Sequence, residues 1–138
     1  MLEGMDRRWP VHVVATTRQG TRSALTRARR LTEHISARIV LIVPRPASRA
    51  KPFDPAGGER VAIVDDYLAL AAEVGVEITV LFCICRRIDD IVRQMLGGSS
   101  LVIVGGTRRL WWPSREQRLT ERLSRSGCAV VFADAGLQ

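Results

Sequence analysis

The spacing of apolar residues changes several times along the chain, and each change marks an element. Val11–Ala15 is a short β-branched run, followed by polar residues and Gly20, which predicts a strand and its exit turn. From Thr21 the spacing becomes helical. Leu25, Ala28, Leu31 and Ile35 recur every three or four residues, with Thr21 or Ser23 as the expected N-cap. Ala37–Val43 is nearly continuously apolar, as a strand buried on both faces should be, and Pro44 and Pro46 are expected to stop it. Four prolines and Gly57-Gly58 make residues 44–58 a loop.

A second helix is predicted from about Glu59 to Val74, with Val61, Val64, Leu68 and Ala71 facing inward and Gly75 in the left-handed position at its end. Val76–Ile84 follows as a third strand. Asp89 and Asp90 suit the positive first turn of a short helix whose apolar side is Ile88, Ile91, Val92 and Met95, closed by Gly97-Gly98. Leu101–Val104 is a fourth buried strand, broken by Gly105-Gly106. Ser114 and Gln117 match a capping box for a helix reaching about Ser126, with Leu119 and Leu123 inward. Gly127 ends it, and Cys128–Ala133 is a fifth strand. This alternation requires parallel strands joined by right-handed crossovers, with helices on both faces. The expected fold is therefore an α/β doubly wound domain over residues 11–138, preceded by an N-terminal extension of residues 1–10.

A single domain of 138 residues can bury its own core. No apolar run reaches the roughly 18 residues of a membrane span. Met1–Pro10 lacks the apolar stretch of a signal peptide, and three cysteines do not make a disulfide framework, so the cytoplasm is the expected compartment. Charge changes the picture more. The net charge is +7, carried by twenty arginines and a single lysine, Lys51. Residues 7–51 hold +10, residues 52–106 hold −4 and residues 107–138 hold +3. Basic segments at both ends thus flank an acidic middle, which favours a small anionic partner over a long nucleic-acid backbone.

The segments LVIVGGTRRL (101–110) and SGCAVVFAD (126–134), with a helix between them, resemble the end of the universal stress protein family. Gly105–Arg109 and Arg122–Gly127 also resemble the stress-protein-like cytoplasmic domain of potassium-responsive sensor kinases, although no kinase machinery is present. The resemblance implies a five-stranded sheet in the order 3-2-1-4-5. A ligand crevice is then expected where that order reverses, outside the carboxyl ends of strands one and four. ATP-binding relatives carry an aspartate after strand one and G-x2-G-x9-G-[ST] after strand four. Here Thr16, Thr17 and Arg18 stand in the first place. In the second, Gly105 or Gly106 supplies the first glycine, Arg109 replaces the next, and neither Leu119-Thr120 nor Glu116-Gln117 gives the last pair.

Two outcomes follow for this degraded motif. The domain is regulatory, not an enzyme, and acts by dimerisation or by docking a protein partner. Alternatively it binds ATP, another adenine nucleotide or a cyclic dinucleotide through an arginine-rich phosphate pocket, with at most weak ATPase activity. Arginine forks grip phosphate bidentately. The candidate anion-binding set is Ala15, Thr16, Thr17, Arg18, Val43, Gly105, Gly106, Thr107, Arg108, Arg109, Ser114 and Arg115, with Arg22 nearby. Ser114 is the candidate stand-in for the missing Ser/Thr. The resemblance implies a homodimer paired through strand five, where Val130, Val131 and Phe132 form an apolar edge. Cys83 and Cys85 share a strand face but lack further ligands, so no metal is expected. His12 and His34 are expected to be structural. Trp111-Trp112, in an arginine-flanked loop, is a candidate contact surface or a loop plug.

Overall fold

The computed structural model describes residues 8–46, 58–96, 101–109 and 113–136. Among them the elements run β1 (Trp9–Val14), α1 (Arg18–Leu31), β2 (Ala37–Pro46), α2 (Gly58–Val74), β3 (Ile78–Cys85), α3 (Ile88–Met95), β4 (Leu101–Gly106), α4 (Arg115–Arg125) and β5 (Ala129–Asp134). The strands form one parallel sheet in the order β3-β2-β1-β4-β5. Residues 47–57, including most of the proline-rich segment, lie outside the described residues, as do Gly97-Gly98 and Trp111-Trp112.

Two cores sandwich the sheet. On one face Leu25 and Ala28 of α1 and Leu70, Ala71 and Val74 of α2 pack on Val11, Val13, Leu41 and Ile103. On the other, Ile91 of α3 and Leu119 and Leu123 of α4 pack on Val14, Ile42, Val102 and Val104. Successive side chains of β1, β2 and β4 go to opposite cores, which is why these strands are apolar at nearly every position.

Several boundaries differ from those expected. β1 begins at Trp9, because Trp9 and Pro10 pair with Ala37 and Arg38. β2 continues past Pro44 to Pro46. Its pairing with β1 ends at Ile42, and the missing N–H groups of Pro44 and Pro46 fall on that vacated side while β3 pairs on the other. α1 starts at Arg18 and is capped by Thr17, whose Oγ1 accepts from the Gly20 N–H at 3.0 Å. Thr21 is instead buried inside the first turn. At the far end α1 stops at Leu31, leaving Ile35 54% exposed in the following turn.

The inward face of α2 is also corrected. Leu70, Ala71 and Val74 are buried, while Val61 and Leu68 are 56% and 43% exposed. This helix is apolar nearly all round, so its sequence does not select one face. The capping box of α4 forms as expected, with Gln117 N–H donating to Ser114 Oγ at 3.1 Å and Ser114 N–H donating to Gln117 Oε1 at 2.8 Å. Gly75 and Gly127 take φ of 89° and 96° just beyond α2 and α4. There the Val76 and Cys128 N–H groups bond back to the carbonyls of Ala71 and Leu123. No helix of the described residues is long and apolar enough to cross a membrane.

Candidate functional site

The carboxyl ends of β1 and β4 lie side by side at the point where the strand order reverses. The first turn of α1 is pressed against β4 there. A methyl group placed on Gly105 would stand 1.7 Å from the Gly20 carbonyl oxygen, so two glycines are what allow the approach. Thr16 ties the junction together. Its hydroxyl donates to the Gly105 carbonyl at 2.6 Å, and its N–H donates to Thr21 Oγ1 at 3.0 Å. Gly106 is covered from the other side by the Glu116 side chain.

The candidate polar groups are therefore largely in use. Thr16 locks α1 to β4, Thr17 caps α1, and Ser114 is buried as the cap of α4. The Arg109 N–H donates to Gln117 Oε1 at 3.0 Å, which folds the turn after β4 back onto α4. Ala15 donates its N–H to the Ile42 carbonyl at 2.8 Å, and Val43 packs on the α1–α2 core. Thr107 is exposed. What remains at the expected crevice is a shallow space of about 330 Å3 lined by Thr16, Thr17, Arg115, Glu116 and Leu119. Glu116 places a carboxylate beside Arg115, where an incoming phosphate would need positive charge.

The arginines expected to converge on that crevice are divided among three surfaces. Arg115 stays there. Arg18 points toward α2, within 4.0 Å of Glu73, and borders a separate recess with Tyr67. Arg22 and Arg108 border a larger groove of about 810 Å3 between α1 and the end of β5. Arg108 lies over the Phe132 ring, 5.3 Å from its centroid. Arg27 and Arg30 also line this groove, and the sequence reading did not single them out. The available signal was that α1 carries five arginines and no acid.

Other chemistry-bearing residues have structural surroundings. Burial pushes the Cys83 thiol up, with Cys85 and Asp90 nearby adding to the effect, and burial does the same to Cys128. His12 is held below the ordinary imidazole value by burial first, opposed by a hydrogen bond to the Leu101 backbone and aided by Arg38. Asp90 Oδ2 accepts from the Arg86 and Arg87 N–H groups at 2.8 and 3.1 Å, fixing the entry to α3. Among the described residues no group of three His, Cys, Asp or Glu side chains could hold a metal ion.

No family model matches this sequence, and no curated protein matches it. Solved structures do match. A protein of the universal stress protein family from Burkholderia pseudomallei aligns with a TM-score of 0.58 at 21% identity, covering 89% of this chain and 93% of that one. A universal stress protein from Archaeoglobus fulgidus gives a TM-score of 0.60 at 13% identity over 90% and 92% of the two chains. A universal stress protein in complex with cAMP gives 0.56 at 14% identity over 92% and 97%. The chain has the universal stress protein fold.

Proposed function

We propose that this domain is a cytoplasmic regulatory module that works by self-association or partner docking, without catalytic turnover. The observation that carries the reading is the closed junction at the strand reversal. There Gly20 meets Gly105, the Thr16 hydroxyl is spent on the Gly105 carbonyl and the Glu116 side chain covers Gly106, which leaves only a shallow space of about 330 Å3. Association has a surface available to it. β5 is an edge strand whose outer side is unpaired among the described residues, and Val130, Val131 and Phe132 on it are only partly buried. Sedimentation of the parent and of Ala129→Glu tests this, because Ala129 is exposed on the same edge. A dimer that dissociates in the variant, with unchanged melting and no sustained phosphate release from ATP, is the expected result. A parent that stays monomeric, or that turns ATP over, refutes it.

A second reading is favoured by the space beside Thr16, Thr17 and Arg115, and by the cAMP held by one protein of the same fold. In this reading an adenine nucleotide occupies that crevice. Calorimetric titration with ATP, AMP and cAMP separates the two, since binding that disappears in Arg115→Gln would favour the nucleotide site.

A further inference from the structure

The five arginines of α1 fall into two groups by what they touch. Arg22 pairs with Glu73 of α2 at 2.7 Å, Arg18 reaches the same carboxylate at 4.0 Å, and Arg29 donates to the Val74 carbonyl at 3.3 Å. These three serve the α1–α2 contact. Arg27 and Arg30 lie along the groove toward β5, and among the described residues neither takes part in an ion pair or a side-chain hydrogen bond. Arg108 enters the same groove from the turn after β4, held over Phe132. Three guanidinium groups thus share one groove, and among the described residues none of them forms an ion pair with a carboxylate. Like charges placed together are unfavourable unless an anion lies between them.

From this arrangement we propose that the α1–β5 groove binds an oligophosphate, a small ligand carrying two or more consecutive phosphate groups. Arg27 and Arg30 stand about 4.5 Å apart along the helix axis, at about 1.5 Å per residue, with Arg108 entering from the turn after β4, and three forks that each take two oxygens call for more acceptors than the four oxygens of one phosphate ion. Guanidinium forks match phosphate oxygens two at a time. Stacking on Phe132 orients Arg108 before the ligand arrives and so reduces the ordering that binding requires. The groove, at about 810 Å3, is the size of a small-molecule site. Asp134 also borders it. Its Oδ1 already accepts from the Gly136 N–H at 2.9 Å, and it is outnumbered by the arginines.

The site is separate from the crevice at the β1–β4 junction and shares Phe132 with the β5 edge proposed for association. Calorimetric titrations with inorganic tripolyphosphate and with ATP test it, using the parent, Arg27→Gln/Arg30→Gln, Arg108→Gln and, as the crevice control, Arg115→Gln. Both probes should bind the parent, and more weakly as salt rises. The double variant should lose about 100-fold in affinity and Arg108→Gln about tenfold, while Arg115→Gln leaves tripolyphosphate affinity unchanged. Equal affinity for the two probes would identify the phosphate chain alone as the ligand, and tighter ATP binding would identify a nucleoside triphosphate. Either supports the groove, provided the glutamine variants melt like the parent. Absence of binding to both probes overturns the proposal. So does binding that survives the groove variants, binding abolished by Arg115→Gln, or duplex DNA binding more tightly than tripolyphosphate. None of these outcomes alters the sedimentation result that decides the association reading.

Discussion

Replacing Gly105 by alanine tests the packing that closes the strand reversal. The added methyl group would lie 1.7 Å from the Gly20 carbonyl oxygen and 3.1 Å from the Ala24 nitrogen, both backbone atoms. No side-chain rotation relieves either contact. Ordinary contact for such a carbon begins near 3.4 Å, so the α1 backbone must withdraw from β4 by about 1.7 Å. A gap of about 0.5–1 Å already forfeits a quarter to a half of the dispersion attraction across an interface. Here the interface includes Ala24, Leu25 and Ala28, which are fully buried. The Thr16–Gly105 hydrogen bond is strained as well, at about 1 kcal/mol. Together these effects predict a loss of about 3–5 kcal/mol, in the range of a large core truncation. Urea denaturation followed by circular dichroism reads this directly. With a slope of about 2 kcal/mol per molar urea, the midpoint should fall by roughly 2 M. Gly136→Ala is the control, since its methyl group would meet only Asp134 Oδ1, at 3.3 Å, and should change stability by less than about 0.5 kcal/mol. A Gly105→Ala midpoint indistinguishable from the parent's would refute the reasoning, because α1 could then not be packed on β4 as described.

Two further predictions concern the helix cap and the buried imidazole. Ser114→Ala removes the side-chain half of the α4 capping box and should destabilise by about 1 kcal/mol, lowering the melting temperature by about 3–5 °C; an unchanged melting temperature would mean that the cap is not used in solution. His12 is harder to protonate in the folded state than in the unfolded one, so its contribution is complete above the ordinary value of 6.5 and declines as pH falls from 6.5 toward the lowered folded value. Urea midpoints at pH 7.5 and 5.5 should therefore differ more in the parent than in His12→Gln, and an equal pH dependence in both would remove His12 as the cause.

Most elements were legible because their local signals agree, whereas the strand order followed from the resemblance of residues 101–110 and 126–134 to a known family. Runs such as Leu101–Val104 are apolar at consecutive positions, as a strand between two helical layers must be. The helix ends at Gly75 and Gly127 have the residue that positive φ requires. The misread features are those where local signals do not decide. Pro44 and Pro46 looked like stops, yet they interrupt no ladder because β1 has already turned away on their N–H side. Apolar residues nearly all round α2 left its inward face to be fixed by the sheet. Three threonines and a serine compete to cap α1, and Thr17 is selected only because Thr21 turns inward to receive the Thr16 N–H.

The arginines lie on different surfaces for a related reason. Sequence spacing says which arginines share a side of α1 but not which neighbour that side meets. α1 lies over β4 with one flank toward α2 and the other toward β5, an arrangement set by the strand order. Glu73 therefore takes the charge of Arg22 and Arg18 on one flank, while Arg27 and Arg30 meet Phe132 and Arg108, about a hundred positions later in the chain, on the other. The same packing that draws α1 onto Gly105 at the strand reversal also brings this second flank against the end of β5. The close packing at the strand reversal and the groove beside β5 are thus two consequences of a single helix position. A variant that displaces α1, such as Gly105→Ala, should weaken oligophosphate binding without altering any residue of the groove.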